Sequence, residues 1–166
     1  NHIDNLVIGQ IKKCTPHPNS DHLNLCMVDI GKKENIQIVC GADNVRENLK
    51  VIVALPGANL PGNFEIKKST IRGEESNGMI CALFELGLEE KTEEAYNRGI
   101  EELDINAPIG KDPLTYLKLD STLYELDIHK HRNNDCYYHI GFAYEIAAII
   151  NKKVKLPDLS YKETNE

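Results

Sequence analysis

The chain has 166 residues, 41% hydrophobic and 27% charged, which excludes a disordered or fibrous chain and leaves room for one domain, or one plus part of another. Its 19 Lys and Arg against 26 Asp and Glu give a net charge of −7, which argues against phosphate binding spread evenly over the surface. No apolar run reaches the roughly 18 residues of a membrane span and Asn1-His2-Ile3-Asp4 lacks signal-peptide regions, so a cytoplasmic location without a membrane partner is expected.

Leu6 to Ile11 reads as a first strand, ended by Cys14-Thr15-Pro16-His17-Pro18-Asn19-Ser20, a loop with two prolines. Leu23, Leu25, Met27, Val28 and Ile30 give a near-alternating second strand, closed by the turn Gly31-Lys32-Lys33-Glu34-Asn35. Ile36, Ile38 and Cys40 alternate with Gln37 and Val39 in a third strand that stops at Gly41, completing a hairpin. Val51 to Leu55 is a fourth strand, and Phe64, Ile66 and Ser69 to Ile71 make a fifth beyond the turns at Pro56-Gly57 and Pro61-Gly62. Short strands at roughly 8 to 12 residue spacing point to a small antiparallel barrel, and periodicity does not separate an OB barrel from an SH3-like one.

Glu89 to Asp104 is acidic and weakly patterned and reads as a solvated loop before the turn Ala107-Pro108-Ile109-Gly110. Asp112-Pro113 has an aspartate cap with proline at the first helical position, opening a short helix through Leu114 and Leu117. Leu123 to Ile128 alternates as a strand, and Ile140, Ala143, Tyr144, Ala147 and Ile150 recur at helical spacing. The expected fold class is therefore mainly β: a barrel module over residues 1–112, then a helix-strand-helix segment with a polar tail over 113–166, too small to close a core alone.

The charge is uneven. Residues 1–73 hold nine Lys and Arg against seven Asp and Glu, residues 74–112 three against eleven, and the remainder seven against eight. Five scattered cysteines, Cys14, Cys26, Cys40, Cys81 and Cys136, suit reduced thiols, and no disulfide is expected. Cys40, between Val39 and Gly41, reads as a small buried hydrophobe rather than a nucleophile. Cys14, His17, His22 and Cys26 have the ligand types of a zinc site but no second Cys-x2-Cys knuckle accompanies them, and His129, His131, Cys136 and His139 read as a turn region. Asp127 and Asp135 read as turn caps, and no Gly-rich run leads into Lys-Ser or Lys-Thr for a nucleotide phosphate. No catalytic or metal-ligating residue is assigned.

Three stretches carry a resemblance: His17-Pro18-Asn19-Ser20-Asp21-His22-Leu23, Ile38-Val39-Cys40-Gly41-Ala42-Asp43-Asn44-Val45 and Ile71-Arg72-Gly73-Glu74-Glu75-Ser76-Asn77-Gly78-Met79. Together they resemble the tRNA-binding OB module shared by the beta subunit of bacterial phenylalanyl-tRNA synthetase, free-standing tRNA-binding proteins and the endothelial-monocyte-activating polypeptide type of domain. Leu126-Asp127-Ile128, Arg132, Asp135, Gly141, Ala143 and Glu145-Ile146-Ala147-Ala148 are similar to the segment that follows the barrel in the synthetase family, with His129-Lys130-His131-Arg132 where that family usually has Thr-Pro-Asn-Arg. The resemblance covers about residues 5–156 and implies an OB barrel inserted in a small α+β host domain, whose first half would precede Asn1.

It further implies a tRNA-binding and scaffolding module without an active site of its own. The enzyme as a whole would use ATP and magnesium, with an alpha subunit as partner in a tetramer of two alpha and two beta chains. A free-standing tRNA-binding chaperone and a purely structural domain are the alternatives. On an OB barrel, Lys12, Lys13, Lys32, Lys33, Arg46, Lys50, Lys67, Lys68 and Arg72 lie at strand ends and turns expected on one side, with His17, Asn44, Ser76 and Met79 supplying polar edges and the loop motif. Of Phe64, Phe84 and Tyr96, two are expected in the core, leaving few stacking platforms. tRNA affinity is then expected to rest on backbone and shape, to depend steeply on salt, and to be on the order of 10 to 100 micromolar.

Overall fold

The computed structural model describes residues 3–119, 125–158 and 160. Its strands in chain order are β1 (Leu6–Pro16), β2 (Asn24–Asp29), β3 (Ile36–Cys40), β4 (Lys50–Ala54), β5 (Asn59–Leu60), β6 (Phe64–Glu65), β7 (Ser69–Ile71), β8 (Glu74–Ser76), β9 (Met79–Ile80) and β10 (Glu102–Leu103). Four helices follow the same order: α1 (Glu93–Arg98), α2 (Pro113–Tyr116), α3 (Asn133–Cys136) and α4 (His139–Ile149). The chain divides into two units, Asn1–Ser121 and Thr122–Glu166.

The first unit is the expected antiparallel barrel, mainly β. Strand β1 is longer than its apolar stretch suggests because it serves two neighbours: Leu6 to Gln10 pair with β4, and Gln10 to Pro16 pair with β2. A bulge between Ile11 and Lys13 bends it at the change of partner, as an extra unpaired residue does. Gly9 stands at the crowded point. A Cβ there would lie 2.8 Å from Val28 Cγ1 and 2.9 Å from Val53 Cγ2, so a larger residue would push the barrel walls apart. The sheet order is β10-β4-β1-β2-β3, with β9 also on β4.

Strand β4 is buried along its whole length, and its alternate residues enter two different cores. Val51 and Val53 point into the barrel with Ile11, Val28, Ile38 and Ile80. Ile52 and Ala54 face a second layer with Ile8, Leu60, Ile66, Leu86, Leu103 and Leu114. A strand covered on both faces reads as a continuous apolar run, which is what Val51-Ile52-Val53-Ala54-Leu55 is.

The barrel closes between β3 and the β8–β9 connection through a seam that is not a full ladder. Val39 N–H donates to Ser76 Oγ at 3.1 Å, Asn77 N–H donates to Gln37 O at 2.8 Å, and Ser76 Oγ–H donates to Gly78 O at 3.0 Å. Gly78, at φ +149°, passes so close to β4 that a Cβ would lie 2.7 Å from Ala54 O.

Three local expectations change. The stretch after Pro56 is divided among β5, β6, β7 and β8 in two short hairpins, and the barrel's remaining pairings on β4 come from β9 and β10. The acidic stretch Glu89 to Asp104 is not simply a solvated loop: Thr92 Oγ1 caps α1 by accepting from Ala95 N–H at 3.1 Å, Glu93 and Glu94 lie at the positive helix end, and β10 follows. The expected strand Leu123 to Ile128 falls partly outside the described residues, and residues 125–128 are not strand.

The Asp112-Pro113 helix start is found as expected, Asp112 Oδ1 accepting from Leu114 N–H at 2.8 Å. Leu114 belongs to the core of the first unit, so α2 packs on the barrel.

In the second unit Arg132 joins α3 to α4. Its Nε donates to Asp135 at 3.0 and 3.1 Å, and its two terminal nitrogens donate to Glu145 at 2.9 and 3.2 Å. Those hydrogen bonds hold both carboxyl groups below their ordinary range. Helix α4 forms where the spacing predicts it, yet only Ala147 is buried; Ile140, Tyr144, Ile146 and Ile149 are exposed.

Because the Ser76 hydroxyl is the acceptor for a buried N–H, Ser76→Ala is expected to cost about 1–3 kcal/mol in urea unfolding. Ser69→Ala on the exposed edge of the same hairpin should stay within about 0.5 kcal/mol.

Candidate nucleic-acid interface

Register places one continuous surface row across the barrel. Lys13 on β1 pairs with Met27 on β2, and Met27 with Gln37 on β3, so the three lie side by side on the same face. Gln37 Nε2 extends the row by donating to Glu75 O at 2.9 Å on the β7–β8 hairpin. The row ends at a shallow depression of about 140 Å³ lined by Lys68, Ser69, Thr70, Glu75, Ser76 and Asn77. Thr15, Leu25 and Val39 form the next row by the same pairing. This outer face of β1–β3 with its flanking loops is where OB barrels hold single strands.

The loop after β1 fixes that hairpin. His17 is only 4% exposed, and its Nδ1 accepts from Asn19 N–H at 3.0 Å. Nε2 must then carry the proton, and it donates to Ile71 O at 3.0 Å. Asn19 Nδ2 donates to Arg72 O at 3.1 Å and Arg72 returns a bond to Asn19 O at 3.3 Å. His17 and Asn19 therefore position the hairpin, and His17 offers no free edge.

The twelve residues picked from the sequence differ in how far their polar groups are already engaged. Lys13, Lys32, Lys33 and Lys68 are exposed, and no ion pair or hydrogen bond engages their ammonium groups among the described residues. Three cations are partly neutralised: Lys12 beside Gln10 at 2.7 Å and Asp29 at 3.7 Å, Lys67 beside Glu65 at 2.9 Å, and Arg46, whose two terminal nitrogens grip Glu102 at 2.7 and 2.6 Å. Arg72 belongs with the hairpin contacts above. Three more are internal: Ser76 is 2% exposed, His17 is buried, and Met79 packs against the core.

Asn44 is half-buried and clamps the segment after α1, donating to Ile100 O at 2.9 Å and accepting from Ile100 N–H at 3.1 Å. Gly99 lies so close under the Asn44 amide that no side chain fits there. Lys50, counted among the surface cations, is buried and donates to Ala107 O at 2.8 Å. Position in a turn or strand end does not reveal whether a carboxylate stands opposite, which is why the sequence overcounts free cations.

The aromatic expectation is overturned. Phe64 is 57% exposed, Tyr96 is 65% exposed and Phe84 is half-buried, so none of the three is in the core. Phe84 and Tyr96 stand 6.4 Å apart, centroid to centroid, with Lys91 Nζ 5.7 and 5.9 Å from their rings. Gln37, Asn19 and Tyr96 are the residues sequence reasoning missed. Gln37 is recognisable only once strand register is known.

Among the described residues no group of three His, Cys, Asp or Glu is placed to hold a metal. Cys14 and Cys26 are free thiols with sulfurs 4.0 Å apart, and burial pushes the Cys26 thiol upward. Burial likewise raises Cys40 and takes Cys81 up to about 12, so these are protonated core groups at neutral pH.

A family model described as "Putative tRNA binding domain" matches residues 6–112. The chain is 50% identical over 162 residues to the phenylalanine-tRNA ligase beta subunit of Geobacillus kaustophilus, covering 97% of this chain and 20% of that protein. It is 48% identical over 165 residues to the beta subunit of Bacillus subtilis, covering 99% and 20%. The chain thus spans about a fifth of the length of these curated relatives. Among solved structures, a MetRS-related protein from Pyrococcus horikoshii matches at a TM-score of 0.45 and 26% identity, over 63% of this chain and 84% of that one.

Two carboxyl groups of this unit should respond to pH in opposite senses. Hydrogen bonding by Arg46 holds Glu102 low, so its stabilisation is present above the ordinary carboxylate value, about 4.3, and is lost as pH falls through the lower folded value. Burial raises Glu85, so its favourable contribution exists below about 4.3 and is lost as pH rises through the folded value. In thermal melts Glu102→Gln should destabilise by at most about 1 kcal/mol at pH 7 and make no difference well below pH 4. Glu85→Gln should stabilise at pH 7 and lose that advantage in acid.

Proposed function

Because the chain belongs to the tRNA-binding-domain family, we propose that its first unit docks tRNA through the outer face of β1–β3 and the β7–β8 hairpin, as the accessory module of a phenylalanine-tRNA ligase beta chain. The observation that carries this reading is the near end-to-end match to beta subunits, 97% of the chain at 50% identity, combined with an exposed row that has unpaired lysines at both ends. Lys13 and Lys68 meet phosphates, Lys32 and Lys33 extend the field from the β2–β3 turn, and Gln37 and Met27 offer a polar and an apolar edge between them. His17, Asn44, Ser76 and Met79 contribute by holding loops and seam rather than by touching RNA.

Binding of this kind is electrostatic and shape-led. Phe64, on the β5–β6 hairpin, is the exposed aromatic ring that the described residues offer before the acidic segment.

The whole ligase would activate phenylalanine with ATP and magnesium in the cytoplasm, in a tetramer of two alpha and two beta chains, the alpha subunit performing the adenylate chemistry. Residues 113–166 belong in this reading to an α+β host domain, and the exposed apolar residues of α4 are covered by other parts of the polypeptide. The exposure of Ile140, Tyr144, Ile146 and Ile149 supports that assignment, since a helix in water normally buries its apolar face.

Titration of the protein with tRNA at about 50 and 200 mM salt tests the docking face. Wild type should prefer tRNA over a polyanion control, and the Lys13→Ala, Lys68→Ala double variant should bind more weakly, with the slope of log affinity against log salt shallower by about two. Arg46→Ala should leave that slope unchanged, because its charge is already spent on Glu102. Absence of any tRNA preference at low salt would replace this reading by a purely structural one.

A further inference from the structure

Opposite in chemistry to the lysine row is a cleft of about 320 Å³ between the end of β3, β9 and α1. Its floor is apolar, formed by buried Val39 and Ile80, and its walls carry Asp43, Glu85, Phe84 and Tyr96. No Lys or Arg lines it. The segment that builds most of it, residues 74–112, holds three basic against eleven acidic side chains, and Arg98 among the three is already paired with Glu89.

Glu85 is the central group. One carboxylate oxygen accepts from Ala82 N–H at 2.8 Å, and no hydrogen bond to its other oxygen is present among the described residues. Burial raises its affinity for a proton, while the Ala82 N–H and the nearby Lys91 ammonium pull the other way. Beside it, Tyr96 leaves most of its ring in solvent, and the ring pair Phe84–Tyr96 attracts a cation, as the Lys91 ammonium near both rings demonstrates.

The geometry points to a docking site for an arginine side chain of a protein segment: we infer that a guanidinium enters this cleft, stacks on Tyr96 and pairs with Glu85 and Asp43. A planar, delocalised cation with a fork of donors suits one carboxylate and one aromatic face at once, whereas a compact ammonium satisfies only one of them. An unpaired nucleobase could stack on the same ring, but it would carry its phosphates toward Glu85 and Asp43, with Lys91 the cation beside the rings. The cleft adjoins the β1–β3 face through Val39, and the inference does not rest on tRNA docking there.

The test is a proton-nitrogen correlation NMR titration of the 166-residue protein with the capped tripeptide acetyl-Gly-Arg-Gly-amide, its citrulline counterpart and cytidine 5′-monophosphate. The arginine peptide should give saturable shifts at the amides of Gly41, Asp43, Asn97 and Gly99, with the citrulline peptide about tenfold weaker, the effect expected for losing a charged hydrogen-bond partner. Glu85→Gln keeps an acceptor for Ala82 N–H and should weaken the arginine peptide about tenfold, and Tyr96→Ala, a change on an exposed ring, should weaken it as well. Equal shifts from the citrulline peptide, unaltered affinity in both variants, no saturable shift at the cleft, or shifts there from cytidine 5′-monophosphate alone would each overturn the proposal.

Discussion

The double-sided burial of β4 is the constraint on which the rest of the first unit depends. One five-residue strand supplies alternate side chains to the barrel interior and to the layer outside it, so neither core can be repacked without the other. β1 must then run alongside β4 and still leave to pair with β2, which demands the bulge after Ile11 and the bare backbone at Gly9. The short strands β9 and β10 divide the far edge of β4 between them, and this is how a strand of such length acquires partners on both sides.

Much of this was legible in residue patterns. The β2–β3 hairpin follows from near-alternation around a glycine-lysine turn, β4 from an unbroken apolar run, and α2 from an aspartate cap followed by proline, because each signal is local. What stayed hidden is decided at a distance. β9 and β10 are two residues each, too short to carry a period, and exist because β4 has an open edge to fill. The acidic stretch hid α1, whose Thr92 cap is a single side chain in a segment where charge dominates the impression.

The interface was legible in outline only. Motifs located the loop at His17, which bonds Ile71, the strand end at Asn44, which bonds Ile100, and the seam at Ser76 to Met79, which bonds β3. Their chemistry, however, is largely internal: His17 spends both ring nitrogens and Ser76 its whole hydroxyl on neighbouring backbone. The lysines present the opposite case, indistinguishable from one another as letters and separated only by whether Glu65, Asp29 or nothing stands nearby. The charge is divided along the chain, nine Lys and Arg against seven Asp and Glu over residues 1–73 and three against eleven over 74–112, so a net charge of −7 is compatible with membership of the tRNA-binding-domain family.

The seam between β3 and the β8–β9 connection sets the protein's tolerance to change. Core positions such as Ile8, Val28 or Ile38 are constrained as a class: another apolar side chain of similar volume can be absorbed by repacking. Ser76 and Gly78 are constrained as individuals, one by a hydroxyl that must both accept and donate, the other by the absence of a single carbon. Sequences that drift widely elsewhere can therefore keep this architecture while those two letters stand still, and a variant library of the barrel would be depleted there before anywhere in its interior.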